Sequence, residues 1–590
     1  MATKSAVSTT PARFVRAAQL DELRGANCLP VQVEGHTLAL FLHDNKPYAV
    51  DNRCPHMGFP LHRGTVKDGV LTCHWHHARF DLASGGTFDQ WADDVRSYPV
   101  EIRGDEIWVD LTPRIDVTAH QQQRLLDGLE RNIPLVIAKA VITLLDSDVD
   151  PVEPFRAGLE FGTRYRQAGW GSGLTIHTCM MNLIPHLQPD DSMRALYHGL
   201  SAVAQDSATM APRFGVHALP GSTSDLATLK RWFRQFVEVR DAEGAERCIV
   251  SAVRAGADHR QMASMLFAAA TDHRYIETGH VLDFTNKALE ALDLSGWQLA
   301  APVLTSLTNS YASAERMEES NSWRNPVDLI AILERAFEEL PSAIEKGGSQ
   351  RKFSAGQDTL LTTLLGVVLG EDPTAIAEAL LGALRGGCTA VDVAGVVTHA
   401  AALRIAQFHT TNEFPDWDTA LHTFTFANAV QQGLRRTESP ELLRGVFDAA
   451  MSVYLDRFLN VPAAPLAESD GTVKDTEALL QELPTLLDRQ QRVNDAGALV
   501  ARYLHGGGDP DRLTATLGNL LLREDRNFHT IQVVEAAMRQ FALFPGTPAG
   551  IHAMIAAARY LAAHSPTVRA QGQTYQIAHR LSRGEHLFEE

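Results

Sequence analysis

Basic residues are in short supply. Lys and Arg number 53 against 71 Asp and Glu, which leaves a net charge of −18. That balance excludes a general nucleic-acid binder, because little is available to neutralise phosphates. Cysteine is also scarce: six in 590 residues, at 28, 54, 73, 179, 248 and 388. Six scattered thiols do not make a disulfide scaffold and fit a reducing compartment. No stretch approaches the roughly 18 apolar residues of a membrane span. The opening MATKSAVSTTPA is polar and lacks the apolar core of a secretory signal. The expectation is a soluble, cytoplasmic protein with no membrane and no nucleic acid among its partners. Phosphate-binding glycine loops of the Walker and Gly-x-Gly-x-x-Gly types are missing, as is Gly-x-Ser-x-Gly. A built-in dinucleotide domain is therefore not expected.

What the chain does have falls into two textures. From about residue 13 to 112, short β-branched and aromatic runs such as HTLALFLHD, KPYAVDN and DEIWVDL are broken by Gly, Asn or Asp. This predicts a small all-β unit, with tight hairpin turns at EGHT and RGDE. From about residue 119, apolar residues recur at three- and four-residue spacing, the period of helices. Gly or Pro followed by Asp recurs between helical runs, at Gly256-Ala257-Asp258, Gly370-Glu371-Asp372, Pro189-Asp190-Asp191 and Gly508-Asp509-Pro510-Asp511. Gly ends one helix and Asp caps the next. The segment PAAPLAESDGT, 462–472, suits a break. The sequence thus predicts a multidomain chain. A β domain spans 13–112. An all-α domain of helical hairpins spans 119–465, and its all-α continuation 470–590.

The chemistry concentrates in Cys54-Pro55-His56, sixteen intervening residues, then Cys73-His74-Trp75-His76. Two Cys–His pairs sit on two loops, each flanked by strand-like sequence. Cys2His2 is also a zinc donor set. Zinc fingers, however, usually group Cys with Cys and His with His. The segment DNRCPHMGFPLHRGTVKDGVLTCHWHHARFDLASG resembles the Rieske family, whose pattern is C-x-H, some 16 residues, then C-x-x-H. Gly58, Leu61, Gly64, Leu71, Phe80, Asp81 and Gly85 share its texture. The resemblance covers about 13–112. It implies an antiparallel β-sandwich with a cluster-binding subdomain and a [2Fe–2S] cluster on Cys54, His56, Cys73 and His76. Thiolates would hold one iron and neutral imidazoles the other.

High-potential members add a bridging Cys to each loop, and here Met57, Gly58, Phe59, His74 and Trp75 offer none. A hydroxyl after the second His is replaced by Ala78. The resemblance then implies a lower potential, of the ferredoxin and ring-hydroxylating oxygenase type. His74 and His77 stand where Pro and Gly are common. Oxygenase subunits of this type continue into an α/β domain with a closely spaced His pair. No such pair follows here, and the remainder reads as helical.

The helical part carries most of the 24 histidines. His273, Glu277 and His280 stand at i, i+4 and i+7, within about 60° of arc on an α-helix. Glu-x-x-His is a pairing used by di-iron bundles. His177, His186, His399, His409, His422 and His529 lie in apolar surroundings, where a buried imidazole needs a partner or a metal. The candidate second metal site comprises His273, Glu277 and His280 in catalytic roles, with His177, His186, His399, His409 and His529. Its occupant stays open between one iron, two irons and a haem held by His.

The functional expectation is an oxidoreductase, mono- or dioxygenase-like. The cluster passes electrons to this His-rich site for oxidation of a small organic substrate. Electrons come from an external NAD(P)H-dependent reductase or ferredoxin. The other reading is a ferredoxin-like carrier or redox-responsive adaptor with a helical docking module. Oligomerisation is compatible with either.

Overall fold

The computed structural model describes residues 12–113, 116–221, 225–350, 357–466, 475–585 and 587–588. Part of the 462–472 segment lies outside them. Packing divides the chain into two compact units: residues up to Pro154 together with Ala570–Glu590, and Phe155–Arg569. The sequence texture changes instead near residue 119 and breaks between 465 and 470.

Among the described residues the first unit holds ten strands in three antiparallel sheets. β1 (Phe14–Gln19), β9 (Val100–Arg103) and β10 (Glu106–Asp110) form one, in the order β1-β10-β9. β2 (Cys28–Val33), β3 (His36–His43), β4 (Lys46–Asp51) and β8 (Ser97–Tyr98) form the second, in chain order. β5 (Thr65–Lys67), β6 (Val70–Thr72) and β7 (Arg79–Asp81) form the third. β1 and β5 are the strands whose pattern did not stand out in the sequence.

Turn chemistry sets the hairpins. Glu34-Gly35, Asp44-Asn45 and Asp68-Gly69 all take positive φ at both central positions, the turn that matches strand twist. β3 explains the apolar run TLALFL. Leu38 and Leu40 face one core with Ile107, Val109 and Tyr98. Ala39 and Phe41 face a second with Leu71, Phe80, Cys54 and Cys73. A strand buried on both faces loses the apolar–polar alternation. Helices Leu20–Ala26, Val117–Arg131, Pro134–Asp146 and Ala570–Ser582 also belong to the unit.

In the second unit every described element is helical. The expected caps are present: Asp258, Asp372 and Asp509 each accept from backbone amides of the following helix. In the Pro189 helix the cap position is Gln188, and Asp190 and Asp191 occupy the first turn. Helices His280–Ser295, Phe414–Arg436 and Phe528–Leu543 are buried around much of their circumference.

A charge network fixes two of these. Lys287 Nζ, 1% exposed, binds Glu290 Oε2 at 3.0 Å and Glu535 Oε2 at 2.6 Å. Asn182 donates to both carboxylates, and Arg539 pairs with both. Two cations balance two anions, so burial is tolerated. Lys287→Ala removes half of that balance. We expect a loss of about 3–5 kcal/mol in urea unfolding followed by far-UV circular dichroism. An unchanged midpoint would show that the network does not hold the helices together.

Candidate functional site

Two loops of the first unit are closed in the same way. The Cys54 amide donates to the Phe59 carbonyl at 2.8 Å, and the Cys73 amide to the Ala78 carbonyl at 2.8 Å. Each bond spans five residues and turns the segment into a tight bulb. The first follows β4 and the second joins β6 to β7. The fourth residue after each Cys has left-handed backbone: Gly58 at φ +85° and His77 at φ +62°. Glycine takes that conformation freely, whereas a side chain costs about 1–2 kcal/mol there. His77 is thus a loop-geometry residue holding a glycine's place, and its ring is exposed.

The bulbs bring the four motif residues together. Cys54 and Cys73 are 3% and 1% exposed. Their thiols hydrogen-bond one another, which pushes Cys54 far up and Cys73 down to about 6. The His56 and His76 ring centroids lie 4.9 Å apart. Burial, aided by Lys139, lowers His56 to about 4. Burial and His77 lower His76. Both rings are therefore neutral near pH 7, with lone pairs free for a metal.

Aromatic rings wall the site. Trp91 packs on His56 at 4.6 Å, Trp75 on His76 at 4.5 Å, and Phe588 on Phe59 and Trp75 at 4.9 and 5.4 Å. Lys139 Nζ donates to the carbonyls of Pro55, at 2.7 Å, and His56. His76 is exposed while His56 is half-buried. His74 is exposed and meets Thr65 Oγ1 at 3.2 Å. Lys139 and Phe588 were not legible as site residues, since both arrive from outside the motif.

A family model of the Rieske [2Fe-2S] domain matches residues 13–99. The chain is 31% identical over 101 residues to the naphthalene 1,2-dioxygenase system ferredoxin component of Pseudomonas aeruginosa, covering 17% of this chain and 97% of that one.

The chain belongs to the Rieske [2Fe–2S] family.

The biphenyl dioxygenase ferredoxin subunit of Pseudomonas sp. (strain KKS102) is 27% identical, with 17% and 93% covered. The solved ferredoxin of carbazole 1,9a-dioxygenase from Nocardioides aromaticivorans IC177 is 28% identical, covering 17% and 98%, at TM-score 0.16. The family match ends at residue 99, and no family model covers the helical remainder. Two buried thiols and two neutral imidazoles on paired loops fit the donors a Rieske cluster requires. No disulfide links the loops: all six cysteines are free.

In the helical unit the candidate residues do not gather as a helix face would place them. Residues 271–279 are not an α-helix: Tyr275, Glu277 and Thr278 all have left-handed backbone. The i, i+4, i+7 geometry expected for His273, Glu277 and His280 therefore does not form. His273 binds Glu318 at 2.7 Å and faces Glu238 at 3.3 Å. Glu277 accepts from the Glu315 amide at 2.7 Å. His177 is a buried core residue bonded to the Phe155 carbonyl at 2.9 Å. His186 ends a short 3-10 turn. His399 pairs with His552 at 2.9 Å, and His409 with Thr411 at 2.6 Å.

His280 and His529 do converge, together with His422. The three rings offer ligand nitrogens that all lie within 4.8 Å of one another. Burial lowers His280 to about 3 and His422 to about 4. His422 stood out in the sequence only as one of several histidines in apolar context. Nothing local marked it as a partner of residues more than 100 positions away.

The His77 geometry predicts a contrast. His77→Gly leaves the second loop closed. His77→Val, β-branched at positive φ, loosens it by about 1–2 kcal/mol. Hydrogen exchange at the Cys73 amide reads this directly, with roughly tenfold faster exchange in the valine variant. Equal exchange in both variants would contradict the assigned backbone role.

Proposed function

We propose that the first unit is a one-electron transfer module whose [2Fe–2S] cluster is held by Cys54 and Cys73 on one iron and His56 and His76 on the other. The observation that carries this is the matched closure of the two loops, which sets two buried thiols beside two neutral imidazoles. When bound, the cluster supplies reversible one-electron transfer at nearly fixed geometry. The protein's part is to hold the donors still and keep water out. Cys54 and Cys73 sit in the apolar core with Leu71, Phe80 and Ala78. Trp75, Trp91 and Phe588 cover the flanks. The exposed edge of His76 would face an electron-transfer partner once the cluster is bound.

The finer reading is an oxidoreductase in which these electrons serve the oxidation of a small organic substrate in the helical unit. The convergence of His280, His422 and His529 supports it over a carrier with a purely structural helical part. An external reductase or ferredoxin is the proposed donor, since no dinucleotide-binding loop is present. The relatives' printed roles as ferredoxin components of dioxygenase systems point the same way.

Ala78 stands where high-potential members often carry a hydroxyl, and no disulfide ties the loops. The potential should therefore lie toward the low end of the Rieske range, on the order of −150 mV. Voltammetry of the full chain measures it, and Cys54→Ser should abolish the signal together with the visible colour. A potential on the order of +300 mV would contradict the proposed environment. A colourless protein with one tightly held zinc would overturn the cluster.

A further inference from the structure

We propose that His280, His422 and His529 form a mononuclear site for a divalent first-row transition-metal ion, with coordination positions left open. The residues come from three helices: His280–Ser295, Phe414–Arg436 and Phe528–Leu543. His422 Nε2 and His529 Nε2 are 3.1 Å apart. Two imidazoles bound to one ion at about 2.0–2.1 Å would stand about 3.0–3.4 Å apart, so that separation suits a shared ion. The His280 ring lies 4.7 Å from His422 and 5.8 Å from His529. All three rings are half-buried, so an ion can reach them.

Independent observations support a built site. Asp418 Oδ2 stands 3.5 Å from His529 Nδ1, and its other oxygen accepts from the Tyr560 hydroxyl at 2.6 Å. A carboxylate behind an imidazole is the usual device for orienting a metal ligand, and it leaves Nε2 facing the ion.

The backbone leading to His280 is strained. Tyr275, Glu277 and Thr278 are left-handed, at φ 41°, 51° and 50°. Gly279 follows at φ 95°, and a Cβ there would meet the Phe426 Cβ at 2.9 Å. Phe426 lies one turn after His422, so this glycine lets the start of the His280 helix press against the His422 helix. Strain of this kind concentrates where geometry serves a function.

One turn beyond His280 and His529, on the same helices, lie Asp283 and Gln532. They are 2% and 1% exposed. Asp283 Oδ2 and both Gln532 amide atoms have no hydrogen-bond partner among the described residues. The donor set narrows the occupant. Three imidazoles without thiolate or carboxylate suit iron, cobalt, nickel, copper or zinc, not magnesium or calcium. Three protein ligands mark an open, reactive site rather than a closed structural one. That iron(II) is the working ion rests on the oxidoreductase reading above; the site itself does not.

Cobalt(II) tests it without interference from cluster iron. The full-length holoprotein is loaded with cobalt(II) chloride, desalted and examined at the cobalt K-edge. The expected result is a single cobalt per chain ligated by imidazole nitrogen. The His280→Ala/His422→Ala/His529→Ala variant should retain none. Asp418→Asn, which keeps all three ligands, should weaken binding about 10–100-fold with circular dichroism unchanged. No cobalt retained by the wild-type chain, or retention unaffected by the triple substitution, overturns the site. Visible absorption of the same samples reports the cluster separately. Cobalt bound without cluster colour would sink the electron-transfer reading alone, and cluster colour without cobalt would sink this one alone.

Discussion

The amide of each motif cysteine is tied to the carbonyl five residues onward, and the redox centre depends on that pair of bonds. They close two unrelated stretches of sequence, CPHMGF and CHWHHA, into bulbs of one shape. With the loops closed, thiols meet thiols and imidazoles meet imidazoles. The first bulb follows β4, in a sheet whose strands are buried on both faces. β3 and β4 each send alternate residues into two separate cores. A shift of one residue in β3 would exchange the two sets of side chains and misplace the first loop, which follows its partner β4.

The helical unit uses a different strategy for gathering donors. No loop brings His280, His422 and His529 together; three helices do, and their register must be fixed from within. Lys287, Glu290 and Glu535 supply that register between the His280 and His529 helices, two turns from the histidines. Gly279 supplies the close approach to the His422 helix. Apolar packing alone tolerates sliding, whereas a buried ion network with one satisfied arrangement does not. The proposed site, assembled from such distant positions, would rest on supports that are themselves buried.

These two strategies explain what could be read from the sequence. The cluster motif lies within 23 residues, from Cys54 to His76. Its donors, spacing and flanking strands are all local, so the family and the all-β then all-α architecture were legible. The role of His77 was not, because a backbone angle leaves no mark on residue type when histidine replaces glycine. The face expected for His273, Glu277 and His280 assumed a continuous helix. Three left-handed residues break it, and each of the three side chains takes a different partner. Of the remaining histidines, His399 pairs with His552 and His409 with Thr411, while His177 bonds through Nε2 to the Phe155 carbonyl. The C-terminal helix Ala570–Ser582 continues the helical texture of the residues before it, yet packs in the first unit. Composition carries no information about which core an amphipathic helix will join.

The proposed cluster has one iron on two thiolates and the other on two imidazoles. Mössbauer spectroscopy of the full chain grown on iron-57 tests it most directly. Two different cluster irons in equal amounts are expected in the oxidised protein, separate from any signal of an ion held by His280, His422 and His529. One-electron reduction should then change only the histidine-ligated iron, because neutral ligands favour the added electron there. Two equivalent irons, or a reduction that falls on the cysteine-ligated iron, would contradict it.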